Sequence, residues 1–153
     1  MISRLCFTLF LILIVVPSCD KNDDSISGIT ETDALGNIIS TDERDWQITS
    51  SNHSSGSMPS LQPAYPNPTD GPLTFRFGFP DTMRVTIQIK NSKRVIRTLL
   101  DNEFRQIGYH TIQWDLKDDE GNIVPNGLYR CVFSFSSGTK TSKGYGDIEV
   151  DVL

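Results

Sequence analysis

Leu73-Thr74-Phe75-Arg76-Phe77-Gly78-Phe79 alternates large apolar residues with small or polar ones. That is the period of a strand with one face on a core and the other in water. The period returns at Val85-Thr86-Ile87-Gln88-Ile89, between Arg84 and Lys90. Asn91 and Ser92 suit a tight turn because Asn tolerates positive φ, and Val95 to Leu100 follows as the returning arm of a hairpin. A fourth strand is expected from Tyr109 to about Leu116, with Ile112 and Trp114 on one face. The polar loop from Lys117 to Asn122, a short extended piece at Ile123 and Val124, and a turn at Asn126-Gly127 come next. From Leu128 to Ser136, Tyr129, Cys131, Phe133 and Phe135 share one face. After a Ser137-Gly138 turn, Ile148, Val150 and Val152 are in phase and Tyr145 is not, so Gly144 or Gly146 is expected to house a bulge. Six or seven short strands without any helical period predict an antiparallel β-sandwich over residues 64–153. A domain this small buries only a little over ~60% of its unfolded surface. Trp114 and the phenylalanines 75, 77, 79, 133 and 135 are therefore expected to supply much of its stability.

Upstream, Pro59, Pro63, Pro66, Pro68 and Pro72 mark the entrance to this domain. Proline lacks an amide donor and holds its predecessor extended. From Asp20 to about Gln62 the chain is rich in Ser, Thr, Asn, Asp and Gly, and the run from Ser50 to Ser57 is close to low complexity. Such a segment buries too little apolar surface to offset its ordering entropy, so residues 19–63 are expected to form a flexible tether. Ile38, Ile39, Trp46 and Ile48 are apolar enough for residues 33–48 to dock as a short strand or turn, but a solvated linker is the expectation there. Residues 1–18 read as an export signal: Arg4 is the only charge, and an uncharged run from Leu5 to Val16 ends at Pro17 and Ser18. That run falls well short of the ~20 residues a helix needs to cross a bilayer, which makes a permanent transmembrane anchor the weaker reading. Val16-Pro17-Ser18-Cys19 resembles the bacterial lipobox, with an aliphatic residue, a tolerant position, a small residue and the cysteine that receives lipid. An ordinary secretory signal requires no cysteine there, so cleavage before Cys19 and acylation of its thiol are expected.

Removal of eighteen residues from 153 leaves 135, room for one domain and a tail. The formal charge of −5 becomes −6 when Arg4 departs, and the basic residues are scattered, which argues against a nucleic-acid partner. Cys6 leaves with the signal and Cys19 carries lipid, so Cys131 stands alone and no internal disulfide is expected. Cys131 lies among aromatic residues on its strand face and reads as a buried small hydrophobe, not a reactive thiol. Asp115, Asp118, Asp119, Glu120, Asn122 and Asn126 cluster around one loop, and calcium takes such oxygens. Their spacing departs from an EF-hand, and Asp, Asn and Gly also serve a turn's own backbone, so Asp115, Asp118, Asp119 and Glu120 remain weak metal candidates beside the structural turn. His53 and His110 form no pair at metal spacing. No nucleophile elbow, phosphate loop or zinc-binding His-Glu-x-x-His is present, so an enzyme is not expected, and no cofactor beyond the covalent lipid on Cys19.

Tyr65-Pro66-Asn67-Pro68, Phe75-Arg76-Phe77 running to Pro80, and Val85-Thr86-Ile87-Gln88-Ile89 are followed in order by Gly108-Tyr109-His110, Trp114-Asp115 and Asp118. Gly121, Val124-Pro125-Asn126-Gly127 and Tyr129 complete the series. Together they resemble the FlgD-type Ig-like domain, which is similar to the C-terminal sorting domains of type IX secretion. The resemblance covers about Ala64 to Val150 and implies an immunoglobulin-like sandwich. The chain departs from the family in having no glycine in its first hairpin turn, and it closes on the acidic Asp147-Ile148-Glu149-Val150-Asp151-Val152 where sorting domains tend to be basic. The leading expectation is a non-catalytic binding or scaffolding module on a lipid anchor, with an envelope protein or glycan as partner. The alternative is a sorting or accessory element of type IX secretion. Lys21-Asn22-Asp23-Asp24 resembles surface-export signals of Bacteroidetes-like lipoproteins, which implies the outer membrane or cell surface.

Overall fold

The structure, a computed structural model, describes residues 26, 28–53, 56–92 and 94–152. The expected export signal and the acylation position Cys19 lie outside the described residues. The first described strands are β1 (Glu31–Thr32), β2 (Ile38–Ser40), β3 (Gln47–Ser51), β4 (Ser60–Tyr65) and β5 (Leu73–Phe79). They are followed by β6 (Met83–Asn91), β7 (Arg94–Arg105), β8 (Gly108–Trp114), β9 (Gly127–Ser137) and β10 (Lys140–Val150). All of these strands pair antiparallel. One sheet has five strands in the order β3-β10-β9-β6-β7, a second has three in the order β4-β5-β8, and β1 and β2 form a separate ribbon. The fold class expected from alternation is the one observed, an all-β antiparallel sandwich.

The inward positions of the alternating strands meet between the sheets, with Leu73, Phe75, Phe77, Val85, Ile87, Ile89, Trp114, Phe133 and Phe135 all at most 1% exposed. Rings pack edge-on across the gap: Phe75 with Phe133 at 6.1 Å, Phe79 with Phe135 at 5.5 Å, and Trp114 with Tyr129 at 5.6 Å. Each such pair adds roughly 0.5–1.5 kcal/mol beyond the area it buries. The Tyr129 hydroxyl donates to Pro125 O at 2.6 Å, a corner bond of the kind immunoglobulin-like sandwiches use.

The tether expectation needs correction. Residues 28–53 fold onto the sandwich, and β3 occupies an edge of the large sheet beside β10. Trp46, at φ 56°, is 6% exposed, with its ring 6.1 Å from Phe75 and 6.3 Å from Phe133. The segment is polar on average, and burial of its one large indole offsets part of the ordering entropy. Polar side chains add to this. Asp45 accepts the Thr30 N–H at 2.9 Å and the Asp147 N–H at 2.6 Å. The buried Asn67 amide donates to Thr30 O and Asp147 O, and its oxygen accepts the Glu149 N–H. Asn67, from the Tyr-Pro-Asn-Pro run, thus ties the N-terminal segment to β10.

The register irregularity falls beside Gly144, one of the two glycines expected to mark it, but its extra residue is on the neighbouring strand. β9 and β10 pair without interruption from Lys140↔Ser137 to Val150↔Gly127. Against β3 the register steps from Lys143↔Ser50 to Gly144↔Ile48, so the extra residue is Thr49 on β3. The glycines of β10 serve packing. A Cβ on Gly146 would lie 2.2 Å from the Trp46 ring, and one on Gly144 would lie 2.5 Å from Gln47 O. In the first hairpin it is Ser92, not Asn91, that takes the positive φ (50°).

Candidate functional site

The acidic loop after β8 is organised around one carboxylate. Asp118 Oδ1 accepts the N–H groups of Glu120 and Asn122 at 3.0 and 2.8 Å, and Gly121 donates back to Asp118 O. These bonds, led by that from the Asn122 backbone, hold the Asp118 carboxyl below its ordinary value. The ribbon turn from Asp33 to Asn37 repeats the arrangement: Asp33 Oδ1 accepts Leu35 N and Asn37 N, and Gly36 and Gly121 have φ of 84° and 87°. Both turns read Asp-x-x-Gly-Asn, which identifies the Asp118 cluster as a self-contained hairpin turn. Asp119 turns away from it. Its N–H donates to Ile96 O and its carboxylate accepts the Thr98 N–H at 3.1 Å, so the loop caps the outer edge of β7. Asp115 accepts the Lys117 N–H, and Glu120 takes a bond from the Asn122 amide. Among the described residues no three His, Cys, Asp or Glu side chains converge as a metal ion requires. Asn126 pins the end of the chain, bonding Val152 N and Val152 O at 3.0 Å each.

Cys131 is fully buried in β9, and burial, with the nearby Asp147 charge, pushes its thiol well above the ordinary value. His110 packs its ring on Phe77 at 5.8 Å while Nε2 bonds Gln106 O at 2.8 Å. Arg130 forms a bidentate pair with Asp147 at 2.7 and 2.8 Å and covers the Tyr145 ring at 4.0 Å. This pair and Asp45 knit the N-terminal segment to β9 and β10. They lie along one sheet and line no described cleft.

The flank between β7 and β8 is different. β8 pairs with β5 along one edge, and its other edge has no strand partner among the described residues. A cleft of about 470 Å³ opens there, lined by Phe77, Leu100, Phe104, His110 and Ile112 among others. Phe104 and Ile107 stand beside it at 64% and 66% exposed, with Arg84 held 5.7 Å from the Phe104 ring centroid. Sequence reading missed this flank because it ended the hairpin arm at Leu100. The only signal for it was two large apolar residues, Phe104 and Ile107, outside any alternating run.

No protein-family model matches the chain. It is 43% identical over 58 residues to the basal-body rod modification protein FlgD of Salmonella typhimurium, a stretch that is 38% of this chain and 24% of that protein. The FlgD of Salmonella typhi matches to the same extent. The chain thus spans about a quarter of the length of these curated relatives. Among solved structures, dimeric latent PorU from Porphyromonas gingivalis is similar in fold, with a TM-score of 0.53 at 22% identity over 63% of this chain and 9% of that one.

Proposed function

We propose that the chain is a non-catalytic, lipid-anchored envelope protein that displays an immunoglobulin-like binding module, probed by its partner at the open flank of β8. The observation that carries this reading is the unpaired β8 edge beside an apolar cleft and the exposed Phe104 and Ile107. An extended segment of a protein partner adds to such an edge through its backbone and seats side chains in the cleft beside it. The partial similarity to a rod modification protein supports an accessory role on a larger assembly. Acylation at Cys19 supplies the anchor, with several acyl chains, since one alone gives only marginal attachment. The outer membrane or cell surface is the compartment this reading assigns.

A photo-crosslinking residue at Ile107 tests it in intact cells, with a second at Thr49 on the opposite edge as control. Defined adducts from position 107 that are absent at position 49 support the reading. Equal adducts from both positions, or none from 107, overturn it. The alternative, a sorting or accessory element of type IX secretion, rests on the resemblance to sorting domains. Mass spectrometry of the exported protein separates the two, because removal of the module on export favours sorting and an intact module favours display.

A further inference from the structure

The outward face of the three-stranded sheet forms a second surface, a grid that shares strand β8 with the open flank. Strand register sets Ser60, Gly78 and Tyr109 in one row, Gln62, Arg76 and Thr111 in the next, and Thr74 and Gln113, with Tyr65 beside Thr74, in the third. Tyr109 is 76% exposed, yet its ring lies against the sheet: a Cβ on Gly78 would meet it at 2.9 Å. Tyr65 stands at the opposite corner, its ring closely backed by Gly36 and overlain by the Arg76 guanidinium at 5.2 Å. From strand rise and spacing the Cα atoms of the two tyrosines lie roughly 16 Å apart along the diagonal, the length of a short oligosaccharide. Between them stand amide and hydroxyl side chains that both donate and accept.

Charge narrows the occupant. Arg76 is the one charged residue of this grid, which contains no carboxylate, on a chain of formal charge −5. Its guanidinium is fixed by bonds to Gln62 Oε1 at 3.2 Å and Tyr65 Oη at 3.0 Å, which engage two of its five donors. A planar, positioned guanidinium suits a carboxylate or sulfate. An exposed aromatic ring beside a hydroxyl- and amide-bearing field suits a sugar ring, whose C–H face stacks while its hydroxyls bond, and Tyr65 holds the Arg76 guanidinium in place. We propose that this face binds an acidic oligosaccharide, with a sugar ring on Tyr109 and an anionic group on Arg76.

The test is calorimetric titration of the folded protein with oligogalacturonate, chondroitin sulfate oligosaccharides and, as the neutral control, cello-oligosaccharide. The uronate and sulfate arms identify which anion is read. The expected result is binding of at least one acidic probe, about tenfold or more weaker binding of the neutral one, and weakening by added salt. Tyr109→Ala and Arg76→Lys should each weaken the acidic probe by about tenfold, with the melting temperature unchanged for Tyr109→Ala. Phe104→Ser, on β7 at the far side of the flank's cleft, should leave saccharide binding intact, so this proposal and the strand-addition reading fail separately. Failure of every acidic probe to bind, or undiminished binding by Tyr109→Ala, overturns the proposal.

Discussion

Gly146 and Trp46 show how one absent methyl group decides a local structure. With a would-be Cβ only 2.2 Å from the ring, Gly146→Ala forces the indole out of its seat between Phe75 and Phe133. Overpacking of this kind costs about 1–3 kcal/mol, and urea denaturation should show that loss. Asp45 has a different problem, because burial raises its pKa from 3.8 to about 6 against the backbone bonds that favour its charge. The group binds its proton more tightly folded than unfolded. Its contribution to stability is therefore fully present below about pH 4 and lost as pH rises through about 6. Thermal melts of wild type and Asp45→Ala should thus diverge in favour of wild type as the solution is acidified, by an amount on the order of 2–3 kcal/mol. A gap that narrows on acidification contradicts this assignment. Neither residue announces its role in the sequence, since Asp45 meets Asp147, 102 positions on, and Gly146 meets Trp46 only where the start of β3 is brought beside β10.

β3 is the strand that composition concealed. Its five residues are polar for the most part, yet they close the edge of the large sheet beside β10 and bring Trp46 into the core. A chain shortened to begin at Met58 keeps β4 and loses that cover, and Trp46→Ala alone should cost about 3–5 kcal/mol. Denaturant midpoints of the two variants measure both effects. A shortened chain with wild-type stability restores the tether reading for this segment. β5, β6 and β9 were legible because a strand with one buried and one solvated face writes its period into the residues, as Phe75-Arg76-Phe77 and Tyr129 to Phe135 do. β7 was legible only to Leu100. From Asp101 to Phe104 every side chain is exposed while Val85↔Glu103 and Arg84↔Phe104 still pair, so the backbone is in the sheet without a hydrophobic phase to reveal it. The turn at Asp118 was recognisable by residue type, and the turn at Asp33 repeats its bonding pattern.

The membrane attachment proposed above concerns the protein in its entirety and rests on one atom, the Cys19 sulfur. Cys19→Ala should abolish incorporation of labelled palmitate and move the protein from the membrane to the soluble fraction, with the fold unaffected because Cys19 lies outside the described sandwich. Unchanged fractionation and labelling contradict the anchor. Local periodicity and turn chemistry already determine an all-β antiparallel sandwich with Phe75, Phe133 and Trp114 at its centre, since each depends on residues adjacent in the chain. Distance along the chain conceals the rest. The docking of residues 28–53, the clasp of Asn67 and Asp45 on β10, the open flank of β8 and the Tyr65–Arg76–Tyr109 face all arise where segments remote in sequence share a surface. Contacts of that kind exist only after the sheets have assembled, and no pattern within a single strand encodes them.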